Sequence, residues 1–337
     1  MAYNKEDYIF VSSCVRGMGK DLLEAKDISK MTGAKSKQEA IRVLADLGYA
    51  TEDATRGVES AIVDAMLSLE LNKSYKKVIS MLPDKKALDT ILLVYDYHNI
   101  KALIKGEMAN TDPSDSTVDI GTIPLENLTH MLRERDFVTM SFTMKSAIQE
   151  ALESFAKAKD PQRIDFVLDK ACYLNMKAES QKTGCQFLVD YVTLLIDTIN
   201  LKTFARMREM KADWVAFNKV FLPGGKISES IFVGGFDEDY SHFSEKLRPY
   251  HTFEDVMVKG GNMLVETGRF TELERLCDDA IMELARNAKY VPYGLEVPTA
   301  YLIAKEGEIR LVRIILAAID QGLSQEQIAS RIRRTYV

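Results

Sequence analysis

The chain has 337 residues, 46% hydrophobic and 28% charged, with a net charge of −6 and a pI of about 5.5. That much apolar material can bury the cores of two or three domains. The acid excess argues against nucleic acid as a main partner, because phosphate binding needs a concentrated cationic surface.

The N-terminal stretch MAYNKEDYIF is charged at positions 5 to 7 and lacks the apolar run of a signal peptide. Arg16-Gly17-Met18-Gly19-Lys20 has the look of a phosphate loop without its spacing, so it reads as a helix with two tolerated glycines. Ser36–Glu39 has capping-box spacing, and Gly48 and Gly106 each follow a periodic run where a left-handed helix end is expected. Ala109–Pro124 is polar and carries two prolines, which marks a loop; Thr117–Ile123 within it alternates weakly. Asp160-Pro161 reads as a helix cap followed by the first helical residue. Phe187, Tyr191, Leu194, Leu195 and Ile199 line one face of a helix, and Asp190 and Asp197 interrupt that segment as a membrane span. No membrane span is expected.

Leu222–His242 reads as a second loop, with Pro223-Gly224-Gly225 at one end and Gly234-Gly235 before the acidic run Asp237-Glu238-Asp239. Ile231-Phe232-Val233, between the glycine pairs, is a weak strand signal. Thr271–Glu274 and Ser324–Gln327 again have capping-box spacing, and Gly268 and Gly322 sit where helices should end. Ile309, Val312, Leu316 and Ile319 repeat at helical spacing. Gln325–Val337 reads as a final helix whose Arg331, Arg333 and Arg334 favour the helix dipole and could meet an acidic partner surface. The fold class that follows is all-α, with at most one short β-hairpin.

Reactive chemistry is sparse. Cys14, Cys172, Cys185 and Cys277 show no metal-knuckle spacing and read as reduced, largely core thiols of a cytosolic chain. His242 and His251 have no matching ligand spacing, and no nucleophile-elbow context occurs. Methionines such as Met131, Met140, Met144, Met207 and Met210 read as core filler. No catalytic, cofactor-binding or metal-binding residue is assigned.

An internal repeat organises the rest. Leu93 to Lys101 shifts by 101 residues onto Leu194 to Lys202, aligning Asp96 with Asp197, Asn99 with Asn200 and Lys101 with Lys202. A further shift of 108 places Glu308-Ile309-Arg310 on the Asn-aliphatic-Lys positions. Leu168-Asp169-Lys170-Ala171 and Cys277-Asp278-Asp279-Ala280 share an Asp-x-Ala core 109 residues apart. Three similar helical units are expected, at 1–110, 111–215 and 216–337. The repeated polar groups would lie at a seam between units or face a cavity; the plain alternative is a solvated face of weak local salt bridges.

At those repeat ends the chain resembles the central-stalk connector of V-type and archaeal-type rotary ATPases, known as the C subunit in prokaryotic complexes and the d subunit in eukaryotic ones. The resemblance runs from Tyr8-Ile9-Phe10-Val11, Val15-Arg16 and Leu22-Leu23 through Tyr95–Lys101 and Leu222–Ile227. It is most specific in Glu296-Val297-Pro298, Ala300-Tyr301-Leu302, Lys305-Glu306, Glu308-Ile309-Arg310, Arg313, Arg331–Arg333 and Tyr336-Val337. Gly17, Gly19 and Gly307 depart from the family pattern.

The resemblance implies a funnel of three modules around a pseudo-threefold axis, with central-shaft subunits inserting at one end and the membrane proteolipid rotor ring at the other. It implies torque transmission without catalysis or a cofactor. Arg16, Asp96, Asn99, Lys101, Asp197, Asn200, Lys202, Gly224, Gly225, Glu296, Tyr301, Glu306, Glu308, Arg310 and Arg313 are the candidates for partner or inter-module contact. Two rival readings are a generic α-helical repeat scaffold and a helical enzyme using Asp96, His98 or Glu306.

Overall fold

The computed structural model describes residues 3–49 and 60–337, and among these no β-strand occurs. They divide into two compact units, one formed by residues 84–233 with the N-terminal tip, the other by residues 4–83 and 234–337. Helices are numbered in chain order across both units.

In the first unit the long helices are α5 (Asp89–Ala109), α7 (Phe142–Ala158), α8 (Gln162–Lys182) and α9 (Gln186–Glu209), with the shorter α6 (Leu125–Glu134), α10 (Trp214–Val220) and α11 (Glu229–Gly234). Helix α8 packs against α5, α7 and α9. Leu168, Leu188, Val192 and Ile196 are among the side chains it and α9 shut away from water. Phe204, Phe217, Phe221 and Phe232 form an aromatic cluster with ring centroids 5.5–6.0 Å apart, tying α9, α10 and α11 together.

That cluster also sets the conformation of the segment between the glycine pairs. Ile231-Phe232-Val233 is helical rather than a hairpin strand, because one helical turn aims Phe232 into the cluster, where it is fully buried.

The second unit holds α1 (Ile9–Met18), α2 (Ala25–Thr32), α3 (Lys37–Asp46) and α4 (Ser60–Met81). It also holds α12 (Tyr240–Lys246), α13 (Thr252–Thr267), α14 (Thr271–Asn287), α15 (Glu296–Asp320) and α16 (Gln325–Ala329). Helix α15 is its axis: it packs on α1, α2, α3, α4 and α14 and buries Val297, Leu302, Ile309, Val312 and Ile315. The Met282 side chain of α14 folds over Gly307 of α15, its Cε 2.6 Å from where a Cβ would stand, so a larger residue there would displace only the end of that side chain.

Several caps fall as the sequence suggests. Ser36 accepts from the Glu39 amide, Ser324 and Gln327 form a complete capping box, and Gly48, Gly268 and Gly322 take positive φ. Others do not. Gly106 lies inside α5, which runs on to a left-handed Asn110, because the returning loop presses Pro113 Cβ to within 3.0 Å of where a Gly106 Cβ would be. Thr271 is already helical, with Phe270 at the cap position and no side-chain cap. Pro161, not Asp160, holds the cap position of α8, which begins at Gln162; Asp160 accepts from the Gln162 amide at 3.0 Å from one residue further out.

The loop at 222–242 contains α11 and the start of α12. The final helix stops at Ala329. Beyond it Arg333 reaches Asp278 (3.3 Å), while the Arg334 amide and guanidinium reach Asp279 (2.6 Å) and Glu283 (3.1 Å) on α14. These arginines therefore serve acidic groups of their own chain. Among the described residues no helix is long and apolar enough to cross a membrane.

Candidate functional site

The repeated polar residues are buried, and each set holds a loop. On α5, Asp96 and Asn99 lie one turn apart on the same face, and neither is exposed to solvent. An amide side chain carries both a donor and an acceptor, so Asn99 pairs with one residue as a strand neighbour would. Its Nδ2 donates to Val118 O at 2.8 Å, and its Oδ1 accepts from Val118 N at 2.9 Å. A carboxylate can only accept, and Asp96 takes the amides of Thr122 (3.0 Å) and Ile123 (3.1 Å) together with the Thr122 hydroxyl (2.6 Å).

The second set repeats the first on α9. Asn200 donates to Leu222 O at 2.8 Å and accepts from Leu222 N at 2.9 Å. Asp197 accepts from Lys226 N at 2.8 Å and Ile227 N at 3.1 Å. Each grip needs a glycine beside the carboxylate. A Cβ on Gly225 would stand 2.8 Å from Asp197 Cγ, and one on Gly121 3.3 Å from Asp96 Cγ; both would come closer still to Oδ1. Gly224, at φ +107°, shapes the turn that brings Gly225 in.

Burial pushes both carboxyls up, while the amides they accept pull them back; Asp197 is left at about 6. With their lone pairs committed to backbone amides, these carboxylates are built to hold chain rather than to act on a substrate.

The third set, on α15, has Lys305 and Glu308 at the Asp and Asn positions. Glu308 accepts from the backbone amide of Leu23, in the segment that enters α2, so the Asn-type half of the grip persists with a carboxylate. In place of the Asp-type half, Lys305 Nζ lies 2.8 Å from Glu308, 2.9 Å from Tyr49 Oη and 3.5 Å from Glu70, and the Tyr49 hydroxyl also donates to Glu308. Lys305 is 2% exposed, so this is a buried charge cluster. Burial drives Glu308 up, to about 8, and Lys305 down.

Most of the remaining candidates make local contacts within their own unit. Lys101 pairs with Asp169 at 2.5 Å on α8, and Lys202 is half-buried. Arg16 donates to the carbonyls of Lys289, Val291 and Pro292. Glu296 pairs with Lys5 at 2.7 Å, Glu306 accepts from the Tyr75 hydroxyl at 2.5 Å, and burial raises Tyr301. Arg310 meets Asp278 at 3.2 Å and Arg313 meets Asp64 at 3.0 Å. His98 donates to Ser116 O at 2.8 Å, at the edge of the first grip.

Sequence reading did not single out Gly121, Thr122, Tyr49 or Glu70, and it met Leu23 only as part of the family resemblance. Only Gly121 left a signal: it follows Asp96 by 25 residues, as Gly225 follows Asp197 by 28. The donors at Leu23 and Thr122 are mainly backbone groups, which carry no residue identity.

Fold and site together define an internally repeated helical protein whose recurring polar residues secure the segments entering new helices. The model of the ATP synthase (C/AC39) subunit family matches residues 11–331. The C subunit of the A-type ATP synthase of Desulfurococcus sp. (strain SY) is 22% identical, across 95% of this chain and 89% of its own. Its counterpart in the A-type ATP synthase of Archaeoglobus fulgidus is 22% identical across 96% of both chains. The C subunit of the V-type sodium ATPase of Enterococcus hirae is 23% identical across 81% of this chain and 82% of its own. The chain belongs to the ATP synthase (C/AC39) subunit family, the family of the V/A-type ATPase C subunits.

Proposed function

We propose that the chain is the non-catalytic connector of the central stalk, joining the rotating shaft subunits to the membrane proteolipid ring. It would transmit torque between ATP hydrolysis or synthesis and ion translocation, peripherally on the cytoplasmic face of the membrane. In this reading residues 1–110, 111–215 and 216–337 are three modules around a pseudo-threefold axis, forming a funnel.

The observation that carries it is the recurrence of the grip at spacings of 101 and 108 residues, on helices of 21, 24 and 25 residues. A part that carries torque needs stiff joints. Loops between modules would be its weakest elements, because loops ordinarily open first. Here each grip fixes a connecting segment to a long helix through buried hydrogen bonds. Broad contact with shaft and ring would still be required, since single exposed ion pairs such as Arg313–Asp64 hold weakly. Gly224, Gly225, Lys202 and the exposed arginines of α15 are the proposed places to look for such contacts.

A tagged chain recovered from detergent-solubilised membranes tests the assignment. Shaft and ring subunits should copurify with it; recovery of the chain without any other part of the ATPase would overturn it. The rival repeat scaffold predicts an open, elongated particle, which small-angle scattering of the isolated chain would reveal.

A further inference from the structure

Among the described residues of the second unit, the cations around one cavity have no carboxylate to pair with. The cavity measures about 460 Å³, the size of a small-molecule site, which typically holds about 300 to 1,000 Å³. Arg16 and Lys20, at the end of α1, and Lys289, just past α14, stand around it. Val15, Val297 and Tyr336 supply apolar wall. We propose that this cavity binds a small organic phosphate, with Arg16, Lys20 and Lys289 holding the phosphoryl dianion and the carbon part lying against the apolar wall.

Missing counterions carry the proposal. The chain has 50 acidic residues against 44 lysines and arginines, so a cation in it readily meets a carboxylate, as Lys101 meets Asp169 and Lys246 meets Glu238. Among the described residues none lies within ion-pair distance of Arg16, Lys20 or Lys289. Arg16 donates to the carbonyls of Lys289, Val291 and Pro292, which orient its guanidinium and leave its charge uncancelled. The Lys289 ammonium lies over the Tyr336 ring, 4.7 Å from its centroid. Burial, and then the neighbouring Arg286, hold that ammonium below its ordinary value. A bound anion would relieve both.

The negative groups nearby do not cancel these charges. Glu24, also on the wall, pairs with Lys26 at 2.9 Å, and Asp21 acts on Lys305, which is not part of the wall. The C-terminal ends of α1 and α14 each present about half a negative charge, and Val337 at the rim adds a carboxylate. The three lining cations exceed these together by about one charge, and Arg286 beside Lys289 adds another. An excess of about two suits a phosphate monoester, which carries about −1.5 to −2 at neutral pH, better than a lone carboxylate. Gly19 supports the reading from the backbone. Its φ is −60° and a Cβ there would meet nothing within 4 Å, so neither conformation nor packing demands glycine. It stands on the cavity wall, and its missing side chain leaves that space open to a ligand. The site is no phosphate loop, since side chains rather than amides at a helix N-terminus supply the positive charge. It lies within the second unit alone and is independent of the connector reading.

Calorimetric titration of the full chain with phenyl phosphate at low salt tests the proposal, because that probe joins a phosphoryl dianion to an apolar ring. One site with a Kd below about 1 mM is expected. Lys20→Gln and Lys289→Gln should each weaken binding at least about fivefold, and together at least about twentyfold. Lys157→Gln, on the exposed face of α7, should leave it unchanged. Inorganic phosphate, which lacks the apolar part, should bind at least about fivefold more weakly than phenyl phosphate. Lys20 and Lys289 are exposed, so replacing them leaves the fold intact, which circular dichroism verifies. Absence of phenyl phosphate binding to the wild-type chain up to about 10 mM would overturn the proposal whatever the variants do. An affinity untouched in the double variant would place the site elsewhere and overturn it as well. Equal affinity for inorganic and phenyl phosphate would overturn the assignment of an organic ligand.

Discussion

Gly225→Ala isolates the role of the second grip. Gly225 does not occupy the positive-φ region, so the added methyl tests space rather than backbone freedom. Its Cβ would lie 2.8 Å from Asp197 Cγ and 3.3 Å from Oδ2, distances that a side chain on a long, packed helix cannot tolerate. The carboxylate must swing away from the amides of Lys226 and Ile227, which it now accepts at 2.8 and 3.1 Å. Leaving a buried donor without an acceptor costs about 1–3 kcal/mol, so losing both costs roughly 2–6 kcal/mol.

The single tryptophan, Trp214, begins α10 in the same unit and supplies the signal for urea denaturation. Asp197→Ala gives up the same two bonds while clearing the space. In the double variant the methyl enters a vacated site, and its cost should nearly vanish. The coupling energy should therefore approach the whole Gly225→Ala penalty. A penalty under roughly 0.5 kcal/mol, or two penalties that simply add, would refute the steric link between glycine and carboxylate.

The first grip should respond alike. Gly121→Ala meets Asp96 and also sits at φ +156°, so denaturation should register a loss at least as large as at Gly225. The stability of the first unit should also depend on pH through Asp197. Its folded pKa, about 6, lies above the ordinary aspartate value of 3.8, so folding favours the protonated form. That contribution is present below pH 3.8 and is lost as pH rises through about 6. Asp197→Asn should flatten the decline of Tm between these values while lowering stability overall, and an unchanged slope would count against the shift. Cys172, Cys185 and Cys277 are buried whereas Cys14 is half-exposed, and burial drives the Cys172 thiol far up. Maleimide should label Cys14 alone in the native protein and all four cysteines in urea; rapid native labelling of Cys172 would contradict its burial.

Helix periodicity made the fold class legible, because long amphipathic runs such as 187–201 carry their own evidence. Boundaries were less so. Gly106 sits where a left-handed end is ordinarily read, yet it is glycine because Pro113 crowds it, and sequence spacing cannot separate these two demands. Ile231-Phe232-Val233 reads as a strand by residue type, but three residues are too few to show a period. Their conformation is set by Phe204 and Phe217, distant in sequence. The repeat made Asp96, Asn99, Asp197 and Asn200 legible as a set without revealing what they hold. Their partners are backbone amides, whose positions depend on how the following loop turns back.

The third grip shows why repeat positions had to be read through structure. By alignment, Lys305 and Glu308 replace an aspartate and an asparagine, which looks like loss of the feature. The structure shows half of it retained. Glu308 still accepts a backbone amide, but from Leu23, in a segment that precedes every other element of the repeat. Helix α5 holds the loop leading into α6, and α9 holds the loop leading into α11. By the same rule α15 holds the segment leading into α2, and it packs on α4 as α5 packs on α8. The order of packing is therefore offset from the order of the chain, with the last long helix serving the second short one. The burial of Glu308 against Leu23 therefore ties the last long helix to the N-terminal segment inside the second unit, a contact that no spacing along the chain announces.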